Sequence, residues 1–340
     1  MSGNDLASIA QATVAPGKGI LAIDESLGTI KKRLDSIHVE STEENRRAYR
    51  ELLITAPGGG EYISGMILFD ETIRQQTRDG VPFVQALADQ GILPGIKVDF
   101  GAKDLAGHPG EKVTEGLDGL RERLAEYAQR GAKFAKWRAV ITIGEGIPSS
   151  GCIEANAHAL GRYAALCQEA GLVPIVEPET LMDGDNTIER CYEVTERTLR
   201  SVFRELYRQR VVTEHTILKV NMVVPGRQCP DQAGVERVAD LTVRCLKNCV
   251  PAALAGIVFL SGGQSARNAT VHLDAMNRKY PDLPWPLSFS YGRALQEPCL
   301  KAWAGRPENV EAAQAALLHR EKCNSLAALG RYDESLEEAA

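Results

Sequence analysis

The sequence predicts an α/β chain folded as an eight-stranded (β/α)8 barrel with an additional helical tail at its C-terminal end. Short apolar runs alternate with longer segments of 3.6-residue periodicity, the pattern of strands covered by helices. The runs number eight, and their ends recur about every 30 to 45 residues, the length of one strand, loop and covering helix in a closed barrel. A doubly wound open sheet would instead place a G-x-G-x-x-G turn after the first run, where "LAIDESLGTIKKRL" has none.

Taken in order, residues to about 18 read as an N-terminal helical segment, and the strands follow as "GILAID" (19–24), "GMILF" (65–69), "GIKVD" (95–99) and "FAKWRAVI" (134–141). The second half continues with "VPIVEPE" (173–179), "TILKVNMV" (216–223), "GIVFLSGG" (256–263) and "PLSFSYGR" (286–293). Between them lie helical patterns such as "EGLDGLRERLAEYAQR", "NAHALGRYAALCQEAG" and "IERCYEVTERTLRSVFRELYRQR". In the last of these Ile188, Cys191, Tyr192, Thr195, Leu199, Val202, Phe203 and Leu206 share one face, as a helix lying on a sheet requires. A helix over about 307–328 would pack outside the barrel, and the acidic residues 329–340 read as a mobile tail of the same single domain, 1–340.

Composition narrows the function. A formal net charge of -6 argues against an electrostatic grip on nucleic acid or an anionic membrane surface. No apolar run reaches the roughly 18 to 20 residues of a membrane span, and the opening lacks a signal or transit pattern, so a cytoplasmic protein is expected. The eight cysteines form no C-x-x-C pair and read as free thiols. Cys245 and Cys249, four apart in a helical pattern, read as one packing face rather than a metal site. The six histidines stand singly, without H-E-x-x-H, and neither a catalytic metal nor a cofactor is expected.

The strands themselves carry the chemistry. Barrel strands usually read as near-continuous Val, Ile and Leu, yet Asp24, Lys97, Asp99, Lys136, Arg138, Glu177, Glu179 and Lys219 lie in or at the ends of five of them. Period two puts Lys136 with Arg138, and Glu177 with Glu179, on one face. Turned toward the helices, these charges would be buried against apolar surface; turned inward near the carboxyl ends of the strands, they meet opposite charges and a ligand at the barrel mouth. Lys219 is the sharpest case, a lone ammonium in an apolar run. Burial and the nearby cation Lys136 would leave it a neutral amine able to form a Schiff base with a carbonyl, and Glu177 on the adjacent strand would move the protons.

The last two loops suggest phosphate. "LSGGQS" and "SYGRA" follow strands seven and eight, where barrels commonly build an anion cup from backbone N–H groups and a helix start, with Ser261 and Arg293 adding a hydroxyl and a forked cation. Ser26, Arg33 and Lys97, at other strand ends, would hold a second anion across the mouth.

At these residues the sequence resembles the class I fructose-1,6-bisphosphate aldolases along nearly the whole chain, through "GKGILAIDES", "TEENRRAYRELL", "GIKVD", "FAKWR", "VPIVEPE", "FLSGGQS" and "SFSYGRALQ" in order and spacing. The resemblance implies a TIM barrel, a homotetramer, a sugar-phosphate substrate, and reversible metal-independent cleavage of fructose 1,6-bisphosphate to dihydroxyacetone phosphate and glyceraldehyde 3-phosphate. It also implies that Lys219 forms the Schiff base and that Glu177 dehydrates the carbinolamine. Glu179 would balance charge, Asp24 would take the C4 hydroxyl proton, and Lys136 would stand beside that hydroxyl. One phosphate would lie on Ser261, Gly262, Ser290, Gly292 and Arg293, the other by Ser26, Thr29 and Lys97, with Arg33 and Arg138 lining the mouth.

Two departures from the family pattern stand out: Val220 follows the lysine where the family usually has proline, and the chain ends "LEEAA" without the terminal tyrosine of animal and plant members. The rival readings keep the scaffold: an aldolase of sedoheptulose 1,7-bisphosphate, or a catalytically silent sugar-phosphate or cytoskeletal binding protein.

Overall fold

The computed structural model describes residues 3–339; residues 1, 2 and 340 of the expected single domain lie outside the described residues. The β-branched and apolar runs do form eight parallel strands: Gly19–Ala22, Ile63–Leu68, Leu93–Lys97, Phe134–Ile141, Val173–Thr180, Ile217–Val220, Gly256–Phe259 and Leu287–Tyr291. Each pairs with its sequence neighbours, and the first closes on the eighth with Ile20 opposite Ser290. The fourth strand coincides with the segment read from sequence. Strands six, seven and eight end earlier than their apolar runs, because Asn221, Ser261 and Arg293 have left the ladder for the loops and the helix start at the mouth.

The sheet separates two apolar regions. Its outer face packs on the helices, with Trp137, Leu218 and Phe259 fully buried there. Helix Ile188–Arg208 lays Ile188, Cys191, Thr195, Leu199, Val202 and Leu206 on it as expected, while Tyr192 and Phe203 are only half-buried against the same layer. The inner face holds a second cluster of Ile20, Ala22, Ile67, Phe134, Val173, Ile175, Ile217 and Val258. The Phe134 ring takes the volume left by two glycines: a Cβ on Gly95 would stand 2.1 Å from it and one on Gly65 2.8 Å. Such close filling is what makes a barrel interior a core rather than a pore.

Helix Gly3–Thr13 closes the amino-terminal end of the barrel, sending Leu6 and Ala10, with Val14 just beyond it, into that inner cluster. At the other end, helix Val310–Ala328 packs outside the barrel. The segment after it, read from composition as a loose end, makes specific contacts: Tyr332 is buried, its hydroxyl donates to Glu337 at 2.7 Å, and Arg320 pairs with Glu337 at 2.5 Å. No helix among the described residues is long and apolar enough to cross a membrane.

Candidate active site

Along each inward-facing row the side chains change character at one level. Phe134 is followed two residues on by Lys136 and then Arg138; Ile175 by Glu177 and Glu179; Ile217 by Lys219; Ala22 by Asp24. Register puts these groups at neighbouring heights, with Lys97 beside Lys136 and Arg138 beside Glu177. Above the apolar layer opens a cavity of about 670 Å³ at the carboxyl ends of the strands. All fifteen residues read from sequence line it: Asp24, Ser26, Thr29, Arg33, Lys97, Lys136, Arg138, Glu177, Glu179, Lys219, Ser261, Gly262, Ser290, Gly292 and Arg293.

At the floor, Glu177 stands between two lysine amino groups. Its Oε1 lies 3.2 Å from Lys219 Nζ and its Oε2 3.4 Å from Lys136 Nζ. Lys219, Lys136 and Glu177 are each at most 4% exposed. Lys136 also pairs with Asp24 at 2.8 Å and approaches Asp99 at 3.9 Å. Burial alone would push the Asp24 carboxyl up, but the Lys136 and Lys219 charges and the Lys136 hydrogen bond outweigh it and hold Asp24 far below the usual carboxylate range. The same balance works in reverse on Lys136: burial opposes its charge, while Asp24, Glu177 and Asp99 raise its pKa well above an ordinary ammonium. Asp24 is therefore an ionised base and Lys136 a fixed cation. Glu177 Oε2 has no hydrogen-bond partner among the described residues, so this buried carboxylate oxygen is open to a proton on a ligand.

Two sides of the mouth can receive anions. Gly262, with φ +56, opens the turn after the seventh strand, and Gly292 caps helix Arg293–Trp303. Between them the buried Ser290 hydroxyl has no partner among the described residues. Opposite, Ser26 precedes helix Leu27–Asp35, its hydroxyl 3.2 Å from that of Thr29 and making no cap bond to the backbone. Lys97 is nearby, its ammonium donating to both the carbonyl and the carboxylate of Asp99 at 2.6 Å. Arg33 pairs with Glu25 at 2.9 Å, and Arg138 with Glu179.

The family model for fructose-bisphosphate aldolase class-I matches residues 5–340. The chain belongs to the class I fructose-bisphosphate aldolases. It is 65% identical to a probable fructose-bisphosphate aldolase class 1 of Xanthomonas campestris, over 98% of this chain and 99% of that one. Against the cytosolic fructose-bisphosphate aldolase 4 of Arabidopsis thaliana it is 55% identical over 96% of its length and 83% of the plant protein's. Its fold superposes on a fructose-bisphosphate aldolase of Plasmodium falciparum, solved in complex with TRAP and a small-molecule inhibitor, with a TM-score of 0.96 at 50% identity, covering 97% and 95% of the two chains. This aldolase is a lyase.

Sequence reasoning missed the groups that hold the enzyme's site in shape. Glu25 is buried and takes Arg50 at 2.6 Å as well as Arg33, and Gln296 donates to it at 2.8 Å and to the Ala22 carbonyl at 2.6 Å. Burial pushes the Glu25 carboxyl up, but Arg50 and Arg33 prevail and keep it low. Asp99, noted only as a charge at a strand end, receives the backbone N–H groups of Gly101 and Arg138 at 3.0 and 3.2 Å in addition to Lys97. Phe100 at the rim is 60% exposed, with the Arg123 guanidinium 4.3 Å from its ring centroid. The signals for Glu25 and Gln296 lay in "IDES" and "RALQ", 271 residues apart, and only barrel closure joins them.

Proposed function

We propose that this family member cleaves fructose 1,6-bisphosphate reversibly to dihydroxyacetone phosphate and glyceraldehyde 3-phosphate through an imine on Lys219. The observation that carries the residue roles is Glu177 held between the Lys219 and Lys136 amino groups, with one buried oxygen that has no hydrogen-bond partner among the described residues. Lys219 passes a proton to Glu177 and its amine attacks the C2 carbonyl. Glu177 returns the proton to the carbinolamine hydroxyl, which leaves as water and gives the iminium. Asp24, kept ionised, takes the C4 hydroxyl proton as the C3–C4 bond breaks. The bonding pair flows into the iminium and leaves an enamine, with the aldehyde as first product. A proton returned to C3 and water added to C2 then release dihydroxyacetone phosphate and free Lys219. Lys136 steadies the developing alkoxide, and Glu179 holds Arg138 at the rim.

Strand order supports the orientation. Lys219 lies beside Val258 of the seventh strand, so the phosphate next to the imine carbon falls to Ser261, Gly262, Ser290, Gly292 and Arg293 on the seventh and eighth strand ends. The far phosphate crosses to Ser26, Thr29 and Lys97, with Arg33 and Arg138 at the rim. Two anchors convert an open-chain ketose into a held one, which is where positioning lowers the barrier.

The test is cleavage of fructose 1,6-bisphosphate in the presence of excess chelator, with both triose phosphates measured. Equal yields that are insensitive to chelation are expected; no triose phosphate from a folded protein would overturn the reading. A cytoplasmic homotetramer belongs to the same proposal, supported by the cytosolic plant relatives and the resemblance. Light scattering at about four chain masses is the expected result.

A further inference from the structure

The loop after the sixth strand carries a cation that no motif announced. Three backbone hydrogen bonds stitch this loop to the one after the fifth strand: Gly226 N to Asn186 O at 2.8 Å, Arg227 N to Met182 O at 2.9 Å, and Gln228 N to Gly184 O at 2.8 Å. The two loops are packed so closely that a Cβ on Gly226 would stand 2.3 Å from the Gly184 carbonyl oxygen. The main chain of Arg227 is thus fixed at the rim of the central cavity, which its side chain lines.

That side chain lies over the loop after the seventh strand. Gly263 has φ +94, and a Cβ there would stand 1.6 Å from Arg227 Nη2 and 2.5 Å from Cζ. The space a side chain would need is the space the guanidinium fills, so the second glycine of "SGG" is a cradle for an arginine as well as a turn. The ion pairing of Arg227 is different from that of the other rim arginines. Arg33 and Arg138 each sit at hydrogen-bond distance from a carboxylate. Among the described residues Arg227 has only Asp183, 4.0 Å from its Nε, and the two side chains are 47% and 69% exposed. A forked donor at that distance from one solvated carboxylate is weakly held. It keeps its capacity for an oxyanion on Ser261, two residues before Gly263 in the loop it covers.

We propose that Arg227 is a further substrate-binding residue, whose guanidinium leaves Asp183 for the phosphate held by Ser261 and Gly262 and sets the affinity for that phosphate. The inference rests on the reading above that a substrate phosphate occupies this loop. Asp183 is then an internal competitor, so removing it and removing Arg227 have opposite effects, which no merely structural role of the two loops would give.

The experiment is steady-state aldol condensation with each triose phosphate varied in turn, for wild type, Arg227→Met, Arg227→Lys and Asp183→Asn. Arg227→Met is expected to raise KM for dihydroxyacetone phosphate by about tenfold or more, the loss falling in KM rather than kcat. KM for glyceraldehyde 3-phosphate should stay within twofold. Arg227→Lys should recover part of the loss, and Asp183→Asn should lower KM for dihydroxyacetone phosphate. An unchanged KM in Arg227→Met, equal changes for both substrates, or a raised KM in Asp183→Asn would overturn the proposal. Borohydride trapping of dihydroxyacetone phosphate on the wild-type enzyme separates the levels. Trapping with no effect of Arg227→Met removes the arginine's role alone, whereas no trapping removes the phosphate reading and this proposal with it.

Discussion

The two ends of the barrel interior are built from the same strands and do opposite jobs. At the amino-terminal end Phe134, Ile175, Ile217 and Ile20 meet Leu6, Ala10 and Val14 in a dry cluster with its glycine-shaped gaps filled. Two residues further along, the same rows present Lys136, Glu177 and Lys219, and, two residues beyond Ala22, Asp24, to an open cavity of about 670 Å³. The lower layer stabilises by burying apolar area, about 25 cal/mol for each Å² removed from water. The upper layer gains little stability over apolar packing, because desolvation offsets the Coulomb attraction. What it provides is an Asp24 held ionised and a Lys136 held charged before substrate arrives. Substitutions at the lower end should therefore cost folding energy, and those at the upper end should cost rate.

The largest expected effect is at the upper end. Lys219→Met removes the nucleophile, and kcat for fructose 1,6-bisphosphate should fall by roughly four orders of magnitude or more while the circular dichroism spectrum is kept. Glu177→Gln keeps the shape and loses the proton carrier, so a fall of about 10²–10⁴ in kcat is expected, measured in the coupled cleavage assay. At the lower end Phe134→Ala should cost about 3–5 kcal/mol in denaturant unfolding, with kcat of the folded fraction within a few fold. A collapse of kcat there, with stability unchanged, would erase the distinction between the two layers.

A finer test uses pH. The Asp24 carboxyl lies below its ordinary value of 3.8 in the folded chain. A depressed carboxylate contributes stability that is present above the unfolded pKa and lost as pH falls through the folded one. The stability difference between wild type and Asp24→Asn should accordingly be flat from about pH 5 to 8 and shrink below about pH 4. Lys136 is raised, so its contribution is complete below the unfolded value of 10.5 and fades only above it.

The smallest effect sharpens the comparison from outside the barrel. Glu321, on the helix Val310–Ala328, is fully buried, both its oxygens lack partners among the described residues, and burial pushes its carboxyl well up. Unlike Asp24 and Lys136 in the mouth, it has no opposite charge among the described residues to hold it ionised. Folding is then disfavoured as pH rises above the ordinary value of 4.5, so Glu321→Met should raise the Tm at pH 8 by a few degrees and by less at pH 5.

Much of this was legible in the chain because period two is local. Phe134, Lys136 and Arg138, or Ile175, Glu177 and Glu179, announce their common face without any partner strand, and family motifs then supplied the substrate. The groups that escaped notice act across the chain. Gln296 reaches Glu25 from 271 residues away, and Arg227 meets Gly263 only because consecutive strands bring their loops together. The N-terminal segment reads as helical, and nothing within it says that Leu6 and Ala10 stop the barrel floor. Composition likewise missed the last segment, where three acidic residues in "ESLEEAA" hid the pairing of Glu337 with Arg320.

The central claim, that the charged layer exists to present a Lys219 amine to a ketose phosphate, is tested most directly by trapping. The protein is incubated with dihydroxyacetone phosphate, reduced with borohydride, digested and mapped by mass spectrometry. The expected result is one reduced adduct, on Lys219, absent when phosphate-free dihydroxyacetone is used at the same concentration. An adduct on another lysine, or none from protein that still cleaves fructose 1,6-bisphosphate, would contradict it.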